Sequence, residues 1–180
     1  MPMSIRATSV DSNSDEETRA WIAAAAVLDP EVPCVTVEDL GILRRISVID
    51  GVATAYVTPT YSGCPAVDVI ESRIKQALEK SGFVASIERS MSPAWTTDWI
   101  TDAGREKLKA YGIAPPACAA NESNTGKPDS TVTFFTRHQI TCPRCDSDNT
   151  RLLSDFGSTA CKAQHQCNSC LEPFDHFKPL

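Results

Sequence analysis

Eight cysteines stand among 180 residues, and their spacing separates them into two kinds of chemistry. Cys142-Pro-Arg-Cys145 and Cys167-Asn-Ser-Cys170 are two C-x2-C pairs separated by 21 residues. A pair at this spacing offers two thiolates from one tight turn, and two such turns complete a tetrahedral S4 site for a soft metal ion. Cys64 is different. It lies in Thr58-Pro59-Thr60-Tyr61-Ser62-Gly63-Cys64-Pro65, where Pro65 reads as the first helical position and Cys64 as the N-cap. A thiol there faces unpaired backbone N–H groups and the positive end of the helix dipole, which favour thiolate over thiol. Gly63 leaves space beside the sulfur. The chemistry open to such a group is nucleophilic or metal-ligating, and the alternative is a small buried thiol that merely precedes a helix.

The layout around the four paired cysteines resembles a zinc ribbon, with short strands predicted at Thr150 to Phe156 and Cys161 to Gln166. Four thiolates accept iron as readily as zinc, as in rubredoxin. Rubredoxin knuckles usually carry glycine after the second cysteine, whereas Asp146 and Leu171 follow here, which favours zinc. Cys161, with His165, is an alternative ligand or else a small hydrophobe on a strand. His138 and His176 are expected on the ribbon surface.

All three histidines lie beyond residue 130, so the N-terminal part has none to serve a Ser or Cys nucleophile as general base. The chain also lacks a phosphate-binding G-x-x-x-x-G-K-[ST] loop, a G-x-G-x-x-G turn and an E-x-x-H pair. No intrinsic catalysis is expected, and no residue is assigned as catalytic. The acidic turn Asp29-Pro30-Glu31 remains. Asp29 and Glu31 are candidates to orient or ligate a metal near Cys64 if the two loops meet. Otherwise Asp29 closes a turn through its side chain and Glu31 is solvated. Trp95 and Trp99, at i,i+4, are either a partner-binding patch or core.

The elements that must position these groups read as an α+β fold. Residues 1–13 are rich in Ser and Asp and read as a disordered tail. A helix capped by Ser14 runs to about Leu28, where Asp29-Pro30 breaks it. Ile42 to Ile49 and Val52 to Thr58 form a hairpin around Asp50-Gly51. Pro65 to Lys80 is helical, with Val67, Ile70, Ile74, Ala77 and Leu78 in one apolar stripe and Glu71 and Lys75 paired on the other side. Phe83 to Arg89 is a further strand and Thr101 to Tyr111 a further helix. The order predicts a small sheet with packed helices over residues 14–114 and a linker at 115–130, the latter rich in proline and polar residues. A small β zinc-ribbon module follows at 131–180, beginning with a strand-like run from Thr131 to Thr136. A module of under ~50 residues needs a metal or disulfides to stay folded.

The net charge of −6 speaks against a nucleic-acid partner, because backbone binding needs a clustered basic surface. No apolar run reaches the ~18 residues that cross a bilayer, and Asp15, Glu16 and Glu17 precede the alanine-rich stretch where a signal peptide would be basic. A cytoplasmic protein with no membrane partner is expected. In a reducing compartment, paired cysteines read as metal ligands rather than disulfides.

Several motifs together carry a family resemblance. Asp29-Pro30-Glu31-Val32-Pro33, Asp39-Leu40-Gly41-Ile42, Thr58-Pro59-Thr60 and Gly63-Cys64-Pro65 resemble the SufT-type domain of iron–sulfur assembly factors. The run Pro93 to Ile100, the run Gly112 to Pro116 and the stretch Phe156 to Lys162 are similar to one branch, the PaaD (PaaJ) family of phenylacetate-degradation proteins. The resemblance implies an accessory subunit of the ring 1,2-phenylacetyl-CoA epoxidase system of aerobic phenylacetate catabolism. It implies the oxygenase and reductase subunits and the iron–sulfur assembly machinery as partners. The implied role is maturation of an iron–sulfur or di-iron centre. Cys64 would handle a transient iron–sulfur cluster, with Asp29 and Glu31 nearby. Cys34 stands where relatives often have an aliphatic residue and is not counted as a ligand. Two other readings stay open: a rubredoxin-like electron-transfer component, and a structural bridge within the oxygenase complex.

Overall fold

The computed structural model describes residues 10–61, 63–116 and 140–179. The expected linker beyond residue 116, the run Thr131 to Thr136, Cys118 and His138 lie outside the described residues. By packing, the chain divides into two compact units, with the boundary between Ala94 and Trp95.

The first unit is a three-stranded sheet with helices. Helix α1 (Val10–Ala25) is followed by the hairpin β1 (Leu43–Ile49) and β2 (Val52–Val57), then α2 (Val67–Lys80) and β3 (Val84–Arg89). The strand order is β1-β2-β3, antiparallel across the hairpin and parallel between β2 and β3. Asp50 and Gly51 both take positive φ, 50° and 77°, as a two-residue type I′ turn requires. Alternate strand residues, among them Val48, Ala53, Ala55 and Val57, are buried together with Ile70, Ile74 and Leu78 of α2. Ala20 and Ala24 of α1 are also buried, small enough to let that helix lie close to β1.

Three details depart from the sequence reading. Helix α1 starts at Val10, so its first residues fall in the expected tail and Ser14 lies inside the helix, its carbonyl accepting from Thr18 Oγ1 at 2.8 Å. Helix α2 begins at Val67 with Ala66 as its N-cap, not at Pro65 with Cys64. The residues between are turned, and the Val67 N–H reaches the Cys64 carbonyl at 3.4 Å, so the chain bends once before regular helical bonds begin. Glu71 meets Arg89 at 2.7 Å across the unit, and Arg89 also holds Asp68 at 2.8 Å. That fork raises the already high guanidinium pKa, first through Glu71 and then through Asp68.

The second unit contains a four-stranded sheet. After a 3-10 turn (Thr97–Trp99) come helix α3 (Asp102–Tyr111), the two-residue strand β4 (Ile113–Ala114), β5 (Thr150–Ser154), β6 (Lys162–Cys167) and β7 (Pro173–Phe177). The order is β4-β7-β6-β5, with β4 parallel to β7 and the other neighbours antiparallel. Thr101 caps α3 by accepting the Gly104 N–H at 3.0 Å. Thus α3 and β4, read from sequence as part of the N-terminal domain, pack with the cysteine module. Trp95 is buried 6.1 Å from the Phe177 ring and Trp99 is half-buried, which favours the core reading for the first of them.

Candidate metal centre and thiol loop

The four sulfurs of Cys142, Cys145, Cys167 and Cys170 lie within 4.8 Å of one another. Cys142 Sγ is 3.8 Å from Cys170 Sγ, and Cys145 Sγ is 3.6 Å from Cys167 Sγ. Tetrahedral sulfurs around an ion at about 2.3 Å stand about 3.8 Å apart. The donor set and its spacing therefore fit a single metal ion. Each turn places its first cysteine inside and its second outside: Cys142 and Cys167 are buried, Cys145 and Cys170 exposed.

The local backbone explains how two loops converge. In the first turn the Asp146 N–H returns to the Cys142 carbonyl at 3.0 Å, and the Cys142 N–H goes to Ser147. In the second, the Ser169 and Cys170 N–H groups both point at Cys167 Sγ, at 3.4 Å. Ser147 and Ser169 hydroxyls join the two turns at 2.8 Å, as do Asn149 and Asn168 at 2.9 Å. Asp146 and Leu171, which follow the second cysteines, have φ of 55° and 67°. These are the left-handed angles that glycine takes without strain. The backbone thus adopts the glycine conformation with non-glycine residues, and their side-chain type does not separate zinc from iron.

The thiols of Cys145, Cys167 and Cys170 act on one another at these distances. The Cys170 N–H acts most strongly on Cys167 and, with that of Ser169, draws its thiol down to about 6 against the effect of burial. For Cys145 the Ser147 N–H favours the thiolate, but hydrogen bonding with Cys170, desolvation and the other sulfurs outweigh it and push the thiol up to about 12. Cys170 is also raised. A divalent ion overrides this mutual effect, since coordination deprotonates each thiol.

The fifth cysteine of the module stands apart. Cys161 is buried beside Thr159 Oγ1 at 3.0 Å and does not belong to the four-sulfur group. His165 stacks on Phe174 at 5.8 Å and meets His176 edge-on at 5.4 Å. Burial lowers the His165 pKa, partly opposed by Asp155. His176, expected at the surface, is 5 % exposed, because alternation along β7 turns it inward with Phe174. Sequence reasoning also missed the buried Lys162, 3.5 Å from Asp175 across the β6–β7 pair.

In the first unit, Cys64 is half-buried in the loop between β2 and α2. Its N–H reaches the Tyr61 carbonyl at 3.2 Å. A Cβ added at Gly63 would rest in ordinary contact with the Tyr61 ring at 3.5 Å. Asp29 Oδ1 accepts the N–H groups of Glu31 and Val32, each at 2.8 Å, and so closes the turn. Asp29 is buried and Glu31 half-buried. Among the described residues, the only cluster of three or more ligating side chains is the four-cysteine one, so Cys64, Asp29 and Glu31 do not assemble into a metal site of their own. No helix among the described residues is long and apolar enough to cross a membrane.

Residues 21–88 match a family described as iron-sulfur cluster assembly protein, and residues 126–178 match the PaaD zinc beta ribbon domain. The chain is 42 % identical over 159 residues to the D subunit of an Escherichia coli "Putative 1,2-phenylacetyl-CoA epoxidase", covering 88 % of this chain and 90 % of that one. It is 34 % identical over 79 residues to an Fe-S protein maturation auxiliary factor of Porphyromonas gingivalis, covering 42 % of this chain and 74 % of the relative. A crystal structure of the domain of unknown function DUF59 from Bacillus anthracis superposes with a TM-score of 0.51 at 22 % identity, over 54 % of this chain and 95 % of that one. That likeness establishes the α+β fold of the first unit's class.

Proposed function

The chain belongs to the PaaD family of phenylacetyl-CoA epoxidase components, and from that premise we propose that it is an accessory maturation subunit of the ring 1,2-phenylacetyl-CoA epoxidase system. In this reading it serves aerobic phenylacetate catabolism by helping to assemble the iron–sulfur or di-iron centre of the oxygenase and reductase subunits. It works alongside the general iron–sulfur assembly machinery. The observation that carries the reading is Cys64: a half-buried thiol in the loop between β2 and α2, within the segment that matches the iron–sulfur assembly family.

The cargo would be an iron–sulfur cluster or iron held at the Cys64 thiolate. Because no three-ligand group surrounds Cys64 among the described residues, the remaining ligands must come from outside this loop. An incompletely ligated cluster is suited to being passed on rather than kept. Asp29 then serves by fixing the turn on which Glu31 is displayed. The four ribbon cysteines hold a resident ion that supplies folding energy rather than reactivity, and zinc is the ion proposed.

Co-expression of the oxygenase and reductase with and without this chain, followed by iron analysis of each subunit, tests the proposal. Iron in a partner subunit should fall when the chain is omitted, and Cys64→Ala should reproduce the loss while the ribbon keeps its zinc. Equal iron in all three preparations overturns it. A rubredoxin-like electron carrier is the second reading, supported by the glycine-like turns at Asp146 and Leu171. Near-stoichiometric zinc without iron in chain isolated from cells excludes it.

A further inference from the structure

Helix α3 and strand β4 touch the cysteine module both at strand β7 and at the first knuckle. Ile113 and Ala114 pair in parallel with Asp175 and His176 of β7. Ala114 is buried in one cluster with Cys142, Cys167 and Phe174, so two of the four sulfur-bearing residues share a core with β4. From α3, Lys109 Nζ meets Asp146 Oδ1 at 2.5 Å, and Asp146 is the residue directly after Cys145. Gly112, at φ 95°, lies against the guanidinium of Arg144, which sits between Cys142 and Cys145. A Cβ at Gly112 would stand 3.1 Å from Arg144 Nη2. Trp95 closes the far end against Phe177. Arg105 ties the segment to itself, donating to the Pro116 carbonyl at 2.6 Å and the Thr97 carbonyl at 2.7 Å.

The first knuckle belongs to no strand. Beyond its internal turn bonds, its serine and asparagine links to the second knuckle, the Thr150 hydroxyl on the Ile140 carbonyl and its contacts with α3 and β4, a metal at Cys142 and Cys145 is what would tie it to the second knuckle's sulfurs. We propose that metal binding at the four cysteines also organises residues 95–116, so that the metal-dependent unit includes helix α3 and strand β4 rather than the ribbon alone. The ion fixes the knuckle, the knuckle presents Arg144 and Asp146 to α3, and the shared core seats β4 beside β7. By thermodynamic reciprocity, whatever weakens the docking of this segment also weakens metal retention. This inference rests on the four-cysteine group being a metal site.

The test is amide hydrogen exchange on the full chain, zinc-loaded and after zinc removal by a chelator, with zinc content measured in both samples. Peptides spanning 102–114 should lose protection together with those spanning 150–177, while peptides of α2 stay unchanged. Retained protection in 102–114 while 150–177 opens overturns this inference and leaves the metal site intact. Unchanged exchange in 150–177 after zinc loss overturns both. Reciprocally, Trp95→Ala should bind zinc about tenfold more weakly in competition with a chelator, within the usual range of coupling between linked sites. Unaltered zinc affinity in folded Trp95→Ala also overturns it.

Discussion

The two units of this molecule solve the same problem with different materials. In the first, alternate residues of β1 and β2 are buried with Ile70, Ile74 and Leu78 of α2 and the alanines of α1, and the core is hydrocarbon. In the second, the cluster under the knuckles consists of Ala114, Cys142, Cys167 and Phe174, with Ile140 packed against it. Half of that cluster is cysteine whose sulfur also faces the candidate ion site. The first unit is built on apolar burial, while the second brings four sulfurs together where coordination would hold its loops. A small module can therefore carry long turns and exposed strands that a metal-free domain of its size would not tolerate.

This contrast can be broken in either half. The largest effect is expected for Cys142→Ser, which removes a buried ligand of a site worth about 10–16 kcal/mol when it holds structural zinc. Zinc content should fall to near zero and strands β5 to β7 should lose amide protection, while α2 keeps its own. If β5 to β7 stay protected, the second unit is not metal-dependent. Ile74→Ala does the converse. Ile74 is fully buried in α2, and its truncation should destabilise the first unit by about 2–5 kcal/mol in urea unfolding with zinc stoichiometry unchanged. The smallest effect has the opposite sign. Leu171 is 69 % exposed with φ of 67°, so Leu171→Gly should relieve about 1 kcal/mol of backbone strain and slow zinc loss to a chelator.

What the sequence revealed tracks how local each signal is. The knuckles were legible because C-x2-C encodes its own turn, and the hairpin because Asp50-Gly51 encodes its own angles. The apolar stripe of α2 is likewise written at helical spacing, and Val67, Ile70, Ile74 and Leu78 are its buried residues. The partner of Glu71 was not legible: Arg89 lies 18 residues away on β3, and Lys75 is merely the nearer cation in sequence. Nor was the association of α3 with the cysteine module, because β4 is two residues long and its partner strand β7 is about sixty residues further on. The helix start at Val67 was misread for a subtler reason. Proline announces a turn, and one turn intervenes here before the α-helical bonds begin, which moves Cys64 out of the capping position.

The placing of one cysteine of each knuckle inside and one outside has a kinetic side. Cys142 and Cys167 form a floor closed to solvent, whereas Cys145 and Cys170 form a rim that water, chelators and oxidants can reach. A competing ligand would replace one rim thiolate at a time while the floor still grips the ion. Cys142 and Cys167 would hold the ion from beneath, and the two exposed thiols would set how readily a chelator reaches it. Electrophiles would record the same asymmetry, marking Cys145 and Cys170 well before the two sulfurs beneath them.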